Sequence, residues 1–263
     1  MARSRIGRRF GGFWRPVRRV LLALLIIGLV VPPAGVLVYR FVPPPATILM
    51  IQRLFEGHGL DYRWRPLSKM SPALPQAAVA SEDARFCEHH GFDFAAIEKA
   101  ARHNERRPDR IKGGSTISQQ AAKNVFLWPG RSWLRKGLEA GYTVLIEAVW
   151  GKRRIMEVYL NVVEFGPGIY GAEAASQRFF HEPASGLSAA QAARLIAVLP
   201  KPLKWSAAAP QAYVERRVRR IDGSIGVVRD DGLAACVLRI RNIGARSDRR
   251  AGPTFAERTL TRG

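Results

Sequence analysis

Acidic side chains are scarce in this sequence: 21 Asp and Glu stand against 42 Lys and Arg, a formal charge of +21. That excess excludes a self-neutralised surface and calls for an anionic partner: nucleic acid, an anionic membrane face or an anionic substrate. Cysteine is scarcer still. Cys87 and Cys236 have no metal-type spacing, and nothing local brings them together, so a disulfide is open to them but not predicted. Internal repeats and low-complexity tracts are absent, which excludes solenoids and flexible arrays. No convincing run of strands is present either.

One absence is informative in the other direction. From Val20 to Tyr39 no side chain is charged, a length that matches a bilayer core. Before it come Arg3, Arg5, Arg8, Arg9, Arg15, Arg18 and Arg19, with no acid among them. This asymmetry predicts a basic cytoplasmic segment over 1–19, a transmembrane anchor over 20–42 and export of the remaining chain. Pro32 and Pro33 are expected to kink the anchor. A cleaved signal peptide is the rival reading, disfavoured because no clear small-x-small site comes after the apolar run. Both readings carry the later residues out of the cytoplasm and so away from nucleic acid.

Pro43-Pro44-Pro45 marks a stiff exit, and 46–74 a connecting region. From Leu74 to about Leu199 the pattern is helical. A helix is expected from Pro75 to His89, ending at Gly91. Asp93 caps the next, with Phe94, Ile97 and Ala101 on one face. Ser115–Trp128 and Ser132–Trp150 read as two more, the second with Leu134, Leu138, Tyr142, Leu145 and Val149 as a core-facing stripe. Lys152–Asn161 continues as helix until Gly166-Pro167-Gly168 breaks it. Ser188 and Gln191 form a capping box for a helix ending before Pro200. The arginine-rich end, from residue 236 to 263, reads as a basic tail.

Four stretches could carry chemistry. Glu82 follows an apolar segment, where a carboxylate can be raised into the range of a general base, yet it could equally be a solvated partner of Arg85. His89 fits a helix-end hydrogen bond as well as a proton shuttle. Gly113 and Gly114 precede Ser115 and Thr116 at a helix start, which suits a phosphate or an ordinary N-cap. It is not a Walker A loop. Arg131 and Arg135 share a helical face, with Lys136 one turn from Glu139. That is either a surface ion-pair ladder or a cluster holding a pyrophosphate beside a second carboxylate. The stretch Lys152–Asn161 looks structural.

Together, their order and spacing are specific. Glu82, Asp83, Phe86, His89, Gly91 and Asp93 match Glu-Asp-x-x-Phe-x-x-His-x-Gly-x-Asp. Residues Gly113 to Gln120 match Gly-Gly-Ser-Thr-Ile-Thr-Gln-Gln, with Ser118 for the second Thr. Arg135, Lys136 and Glu139 match Arg-Lys-x-x-Glu. Lys152 to Asn161 match Lys-x-x-Ile-Leu-Glu-x-Tyr-Leu-Asn, with Met156 for Leu. The chain resembles the peptidoglycan glycosyltransferases (glycosyltransferase family 51), most closely their monofunctional biosynthetic members, over about 45–235.

The resemblance implies a mainly α, lysozyme-like domain over 45–235 with a smaller membrane-facing part. It implies polymerisation of a lipid-pyrophosphate-linked disaccharide-peptide into β-1,4 glycan, with inversion and release of polyprenyl pyrophosphate. Glu82 matches the family's general base and Glu139 its second essential carboxylate. Gly113, Ser115, Gln120, Lys123, Asn124, Arg131 and Lys136 match substrate-binding positions. No cofactor is required and no metal ligands are assigned, although a divalent cation at the pyrophosphate is compatible. The implied partners are the lipid-linked precursor, the growing glycan, the membrane, and cell-wall synthesis or division proteins, with no nucleic acid. The implied location is the bacterial inner membrane, single-pass, with the catalytic domain periplasmic. The alternative is a lytic enzyme that cuts glycan with the same two carboxylates. A bifunctional synthase would need a Ser-x-x-Lys domain, and that motif is missing.

Overall fold

The computed structural model describes residues 10–109, 113–130 and 132–238. Arg131, expected at the pyrophosphate, Arg110–Lys112 and the tail from 239 onward lie outside the described residues. The mainly helical expectation holds. A long helix α1 (Phe10–Phe41) leads into α2 (Ile48–Phe55). After these come α3 (Ala73–Glu82), α4 (Phe94–Arg106), α5 (Ile117–Phe126), α6 (Trp133–Val149), α7 (Gly151–Val162), α8 (Ala172–Phe180), α9 (Ala189–Val198) and α10 (Ala212–Asp230). Strands do occur, but among the described residues only as three fragments too short to carry a period: β1 (Asp61–Tyr62), β2 (Glu164–Gly166) and β3 (Ile169–Tyr170). They pair in the order β1-β3-β2, with β1 parallel and β2 antiparallel to β3.

The apolar part of α1 runs from Arg15 to Phe41, and its 27 residues reach about 40 Å, enough to cross a bilayer. The helix passes through Pro32 and Pro33 without a break. Its last turns are part of the folded body. Val36 is fully buried, Trp150 Nε1 donates to Val36 O at 2.7 Å, and the Arg154 guanidinium donates to the carbonyls of Tyr39 and Val42. Phe126 gathers Tyr39, Tyr142 and Trp150 around it, stacking on Tyr142 at 4.5 Å.

Two layers build the body. On one side α5 packs between α6 and α7; on the other α10 covers α3 and α9. Asn161 joins the connecting region to α7: its side chain accepts from Arg65 N and donates to Arg65 O, while Glu157 accepts from Leu67 N. The capping box at Ser188 and Gln191 forms as expected.

Two expectations are corrected. The first helix stops at Glu82 rather than His89, because Asp83 leaves helical backbone (φ −162°, ψ 78°) to place its carboxylate elsewhere. The stripe on α6 is only half buried: Tyr142, Leu145 and Val149 touch the core, but Leu134 and Leu138 are 70% and 40% exposed, beside Trp133 at 93%. The buried face of that end is polar, formed by Arg135, Glu139 and Thr143. Phe94, Ile97 and Ala101 of α4 share one face, as expected; that face is exposed, and Ala100 is the helix's buried residue.

The cysteines pair. Cys87 and Cys236 form a disulfide across 149 residues with Cα atoms 5.7 Å apart. The contact was illegible because it depends on α10 returning along α3. The turn after α10 then docks by Arg153 donating to Val237 O, with Ala234 and Val237 buried. Reducing or removing this bond (Cys87→Ser with Cys236→Ser) is expected to lower stability by about 2–4 kcal/mol, the range for long closed loops. Melting temperatures with and without reductant measure it; equal values would mean the unfolded chain is not constrained by the bridge.

Candidate active site

Asp83 organises the site. Its carboxylate, 7% exposed, takes His89 Nε2 at 2.9 and 3.0 Å and the backbone N–H of Ile117, the first residue of α5, at 3.0 Å. A negative group at that end of a helix satisfies an orphan donor and meets the positive dipole end. Thr116 caps the same helix in a full capping box with Gln119, and donates its hydroxyl to Gly91 O. Gly91 has φ +95°, and a Cβ there would sit 2.7 Å from Thr143 Cγ2 of α6, so only glycine lets the loop approach. His89 is thus a structural ligand of Asp83. Phe86 is buried beneath the Lys152 ammonium, 4.6 Å from its ring centroid, and Lys152 pairs with Glu147, which also accepts from Ser118. The motif residues other than Glu82 therefore fix the loop that comes after it.

Glu82 ends α3 at the wall of two adjoining cavities. One, about 630 Å³, is lined by Glu82 together with Gly113, Ser115, Gln120, Lys123 and Arg217. The other, about 350 Å³, lies between Glu82, the Gly113–Thr116 segment and α4. The carboxylate accepts from Arg217 at 2.9 Å, from Ser81 at 2.9 Å and from Gln120 at 3.2 Å. It is not the partner of Arg85, which turns to Glu88 and Asp93.

Lys123 lines the larger cavity and also a third, of about 280 Å³, shared with Asn124, Trp128 and Arg135. Burial pushes its ammonium below the ordinary lysine value; Glu139 and Glu82 oppose that shift, and Arg135 and Lys136 add to it. Glu139 is 3% exposed, paired with Lys136 and, at 3.6 Å, with Arg135. Lys123, Arg135 and Lys136 against one Glu139 leave a surplus of two positive charges. Among the described residues no three His, Cys, Asp or Glu side chains converge on one point, so no metal cage is formed there by the protein alone.

The structure thus brings Glu82, Gly113, Ser115, Gln120 and Lys123 to one cavity, and Asn124 to the next. Lys136 and Glu139 are paired on α6, whose Arg135 lines that third cavity with Asn124 and Lys123. Sequence reasoning missed the wall made by the C-terminal part: Trp205, Tyr213, Arg217 and Arg220. A signal was present. Val214, Val218, Ile221, Ile225 and Val228 form the buried stripe of α10, and Arg217 sits beside it, an inward charge that needed a partner.

Replacing Asp83 by Ala should leave His89 and the α5 N-terminus without their acceptor, at a cost of roughly 1.5–3 kcal/mol. Denaturant titration reads this, and an unchanged midpoint would remove Asp83 from its scaffold role.

Comparison with known proteins gives a consistent result. The family model described as Transglycosylase matches residues 50–224. A biosynthetic peptidoglycan transglycosylase of Caulobacter vibrioides is 59% identical over 223 residues, covering 85% of this chain and 97% of that protein. Proteins of the same description from Klebsiella oxytoca and Escherichia coli are 51% and 50% identical, over 80% and 76% of this chain and 89% and 86% of theirs. The helical body accords with the lysozyme-like fold that the resemblance implied. The chain belongs to the transglycosylase family and is a glycosyltransferase with one N-terminal helix long and apolar enough to span a membrane.

Proposed function

We propose that this enzyme polymerises a lipid-pyrophosphate-linked disaccharide-peptide into β-1,4 glycan, with Glu82 as general base and inversion at the anomeric carbon. The observation that carries the reading is the charge balance: one carboxylate in the cavity wall and, one helix away, a cluster with two surplus positive charges. A pyrophosphate diester carries two negative charges, and its departure needs fixed positive charge more than a proton donor.

Glu82 takes the proton of a sugar hydroxyl of one substrate. That oxygen attacks the anomeric carbon of the growing strand from the face opposite the pyrophosphate, and the carbon–oxygen bond to the pyrophosphate breaks. Arg217, Ser81 and Gln120 hold the Glu82 carboxylate in one orientation. Lys123 and Lys136 receive the leaving group, with Arg131 as a further contact. Glu139 keeps Arg135 and Lys136 in place by pairing with them. Gly113 and Ser115 line the cavity beside Glu82, and Asn124 lines the neighbouring one, where they would contact sugar and phosphate oxygens.

The anchor, the arginines before it and the disulfide support an N-terminus in the cytoplasm and a domain in an oxidising, exported compartment at the inner membrane. Exposed Trp133, Leu134 and Leu138 of α6, with Ile48, Ile51 and Phe55 of α2, support a membrane-facing part beside the anchor, where a lipid-linked substrate is held.

The deciding assay gives detergent-solubilised full-length protein the lipid-linked precursor and, separately, lipid-free glycan strands. Polymer and free polyprenyl pyrophosphate are expected from the first and nothing from the second; soluble fragments from the second alone would make the protein lytic. Glu82→Gln should cost about 10²–10⁴-fold in turnover while substrate still binds. Lys123 generates a second expectation. Its lowered value means charge is lost at lower pH than for an ordinary lysine, so KM should climb early on the alkaline side. Lys123→Arg keeps its charge and should flatten that limb. Superimposable alkaline limbs would separate Lys123 from the pyrophosphate.

A further inference from the structure

Two routes lead away from Glu82, and they meet again at one covalent bond. Along the chain, the loop after Glu82 carries Cys87 between the buried anchors Asp83 and Phe86 and the tight approach at Gly91. Through space, Glu82 accepts from Arg217 of α10 at 2.9 Å, and α10 leads into the turn that carries Cys236. The Cys87–Cys236 bridge closes this circuit.

The position of Arg217 depends on the seat of α10. A single nitrogen, Nη2, donates both to Glu82 at 2.9 Å and to Ser81 at 2.7 Å. The buried Nε has no hydrogen-bond partner among the described residues. The guanidinium therefore sits where the helix backbone carries it. Arg217 meets the last residues of α3, while Leu238, past the other end of α10, shares a cavity with Pro72 and Pro75 at the start of α3. So α10 runs back along α3, with the base at one end and the bridge beyond the other.

The second half of α10 is a poor helix by composition. It contains Gly223 and Gly226, and glycine is the weakest helix former after proline. A Cβ at either position would meet nothing within 4 Å, so no close approach calls for glycine there. What keeps this half in place is the buried stripe of Ile221, Ile225 and Val228, then the turn at Ala234 and Val237 with its bridge. With the bridge open, the glycines let this half unwind, and Val214 and Val218 alone are left to seat Arg217. The loop at Cys87 is released at the same moment. Cys236 is exposed and Cys87 half-buried, so a reductant in solvent can reach the bond.

We propose that the Cys87–Cys236 bridge is a positioning element of the active site: it seats α10 so that Arg217 stays on Glu82, and turnover depends on its being oxidised. This rests on the reading of Glu82 as the base of a polymerase. Opening the bond is thiol–disulfide exchange with a dithiol. One sulfur of the dithiol attacks Cys236 and Cys87 leaves; the second sulfur then displaces Cys236. The two electrons and two protons of the dithiol end on the two cysteines, and the dithiol becomes a disulfide. Lys123 on α5 and Lys136 on α6 lie outside the circuit, so substrate binding is largely kept.

The test compares full-length protein in detergent as the oxidised form, under a dithiol, and as Cys87→Ser with Cys236→Ser. Assays run at a temperature where near-ultraviolet circular dichroism shows the same packed fold in all three. Without the bridge, kcat for polymer from the lipid-linked precursor should fall by about ten- to a hundredfold, the scale of a misplaced catalytic group, while KM stays nearly constant. A bridge that served stability alone would leave kcat unchanged there. Gly223→Ala with Gly226→Ala, added to the bridgeless variant, should restore most of kcat, because a helix that stays wound keeps its stripe seated. Hydrogen exchange over 221–230 reads the same coupling without turnover: protection should drop on reduction and return with the alanines. Equal kcat with and without the bridge overturns the proposal. So does unchanged exchange over 221–230, or a bridgeless protein that is unfolded at every assay temperature. Should the oxidised protein make no polymer, the polymerase reading fails, and hydrogen exchange still decides whether the bridge seats α10.

Discussion

The carboxylate of Asp83 ends one helix and begins another. It pulls the chain out of α3 directly after Glu82, so that Glu82 stands at a helix end with its side chain in a cavity. The same two oxygens hold His89 and the first N–H of α5, which sets the Gly113–Gln120 segment against the loop after Glu82. Because α5 also carries Gln120 and Lys123, the Glu82 carboxylate, its Gln120 partner and the cavity's buried lysine are all referred to this one buried carboxylate. Ionised groups in such a place persist only when every lone pair is satisfied, and here a histidine and a helix terminus do so. The geometry of the cleft is thus fixed by a residue that need not touch the substrate.

The second constraint is the polar face of α6. A helix whose sequence reads as an apolar stripe buries Arg135, Glu139 and Thr143 and leaves Leu134 and Leu138 outside. In water that arrangement would be inverted. It is sensible where one surface is covered by lipid and the other by a ligand of opposite charge. The energetic cost of the buried cations is offset by Glu139 locally and by whatever anion fills the surplus.

Much of this was legible. Asp93, Ser132 and Ser188 announced their helices because caps are local, and Thr116 with Gln119 is a capping box readable from four residues. The charge-free run before Arg40 gave the anchor by length. What failed was nonlocal or relative to an unseen medium. The α6 stripe went wrong because periodicity cannot tell which side of a helix the body covers. The end of α3 went wrong because Asp83 is drawn by Ile117, far along the chain. Arg217 and Trp205 carried no local motif, and only the return of α10 across α3 and α9 gives them a position. The functional motifs, by contrast, were readable as a set, since four weak patterns in fixed order constrain more than any one of them.

The disulfide has a consequence for how the enzyme comes into being. Cys87 is synthesised 149 residues before its partner, and every charged group of the cleft except Glu82, Asp83 and Arg85 lies on the loop that the bond closes. In the folded protein α10 lies on α3 and α9, so the native approach of the two sulfurs needs those three helices packed together. A chain halted before residue 236 would contain all four motifs and yet keep Cys87 as a free thiol, a chemical mark that separates unfinished molecules from finished ones.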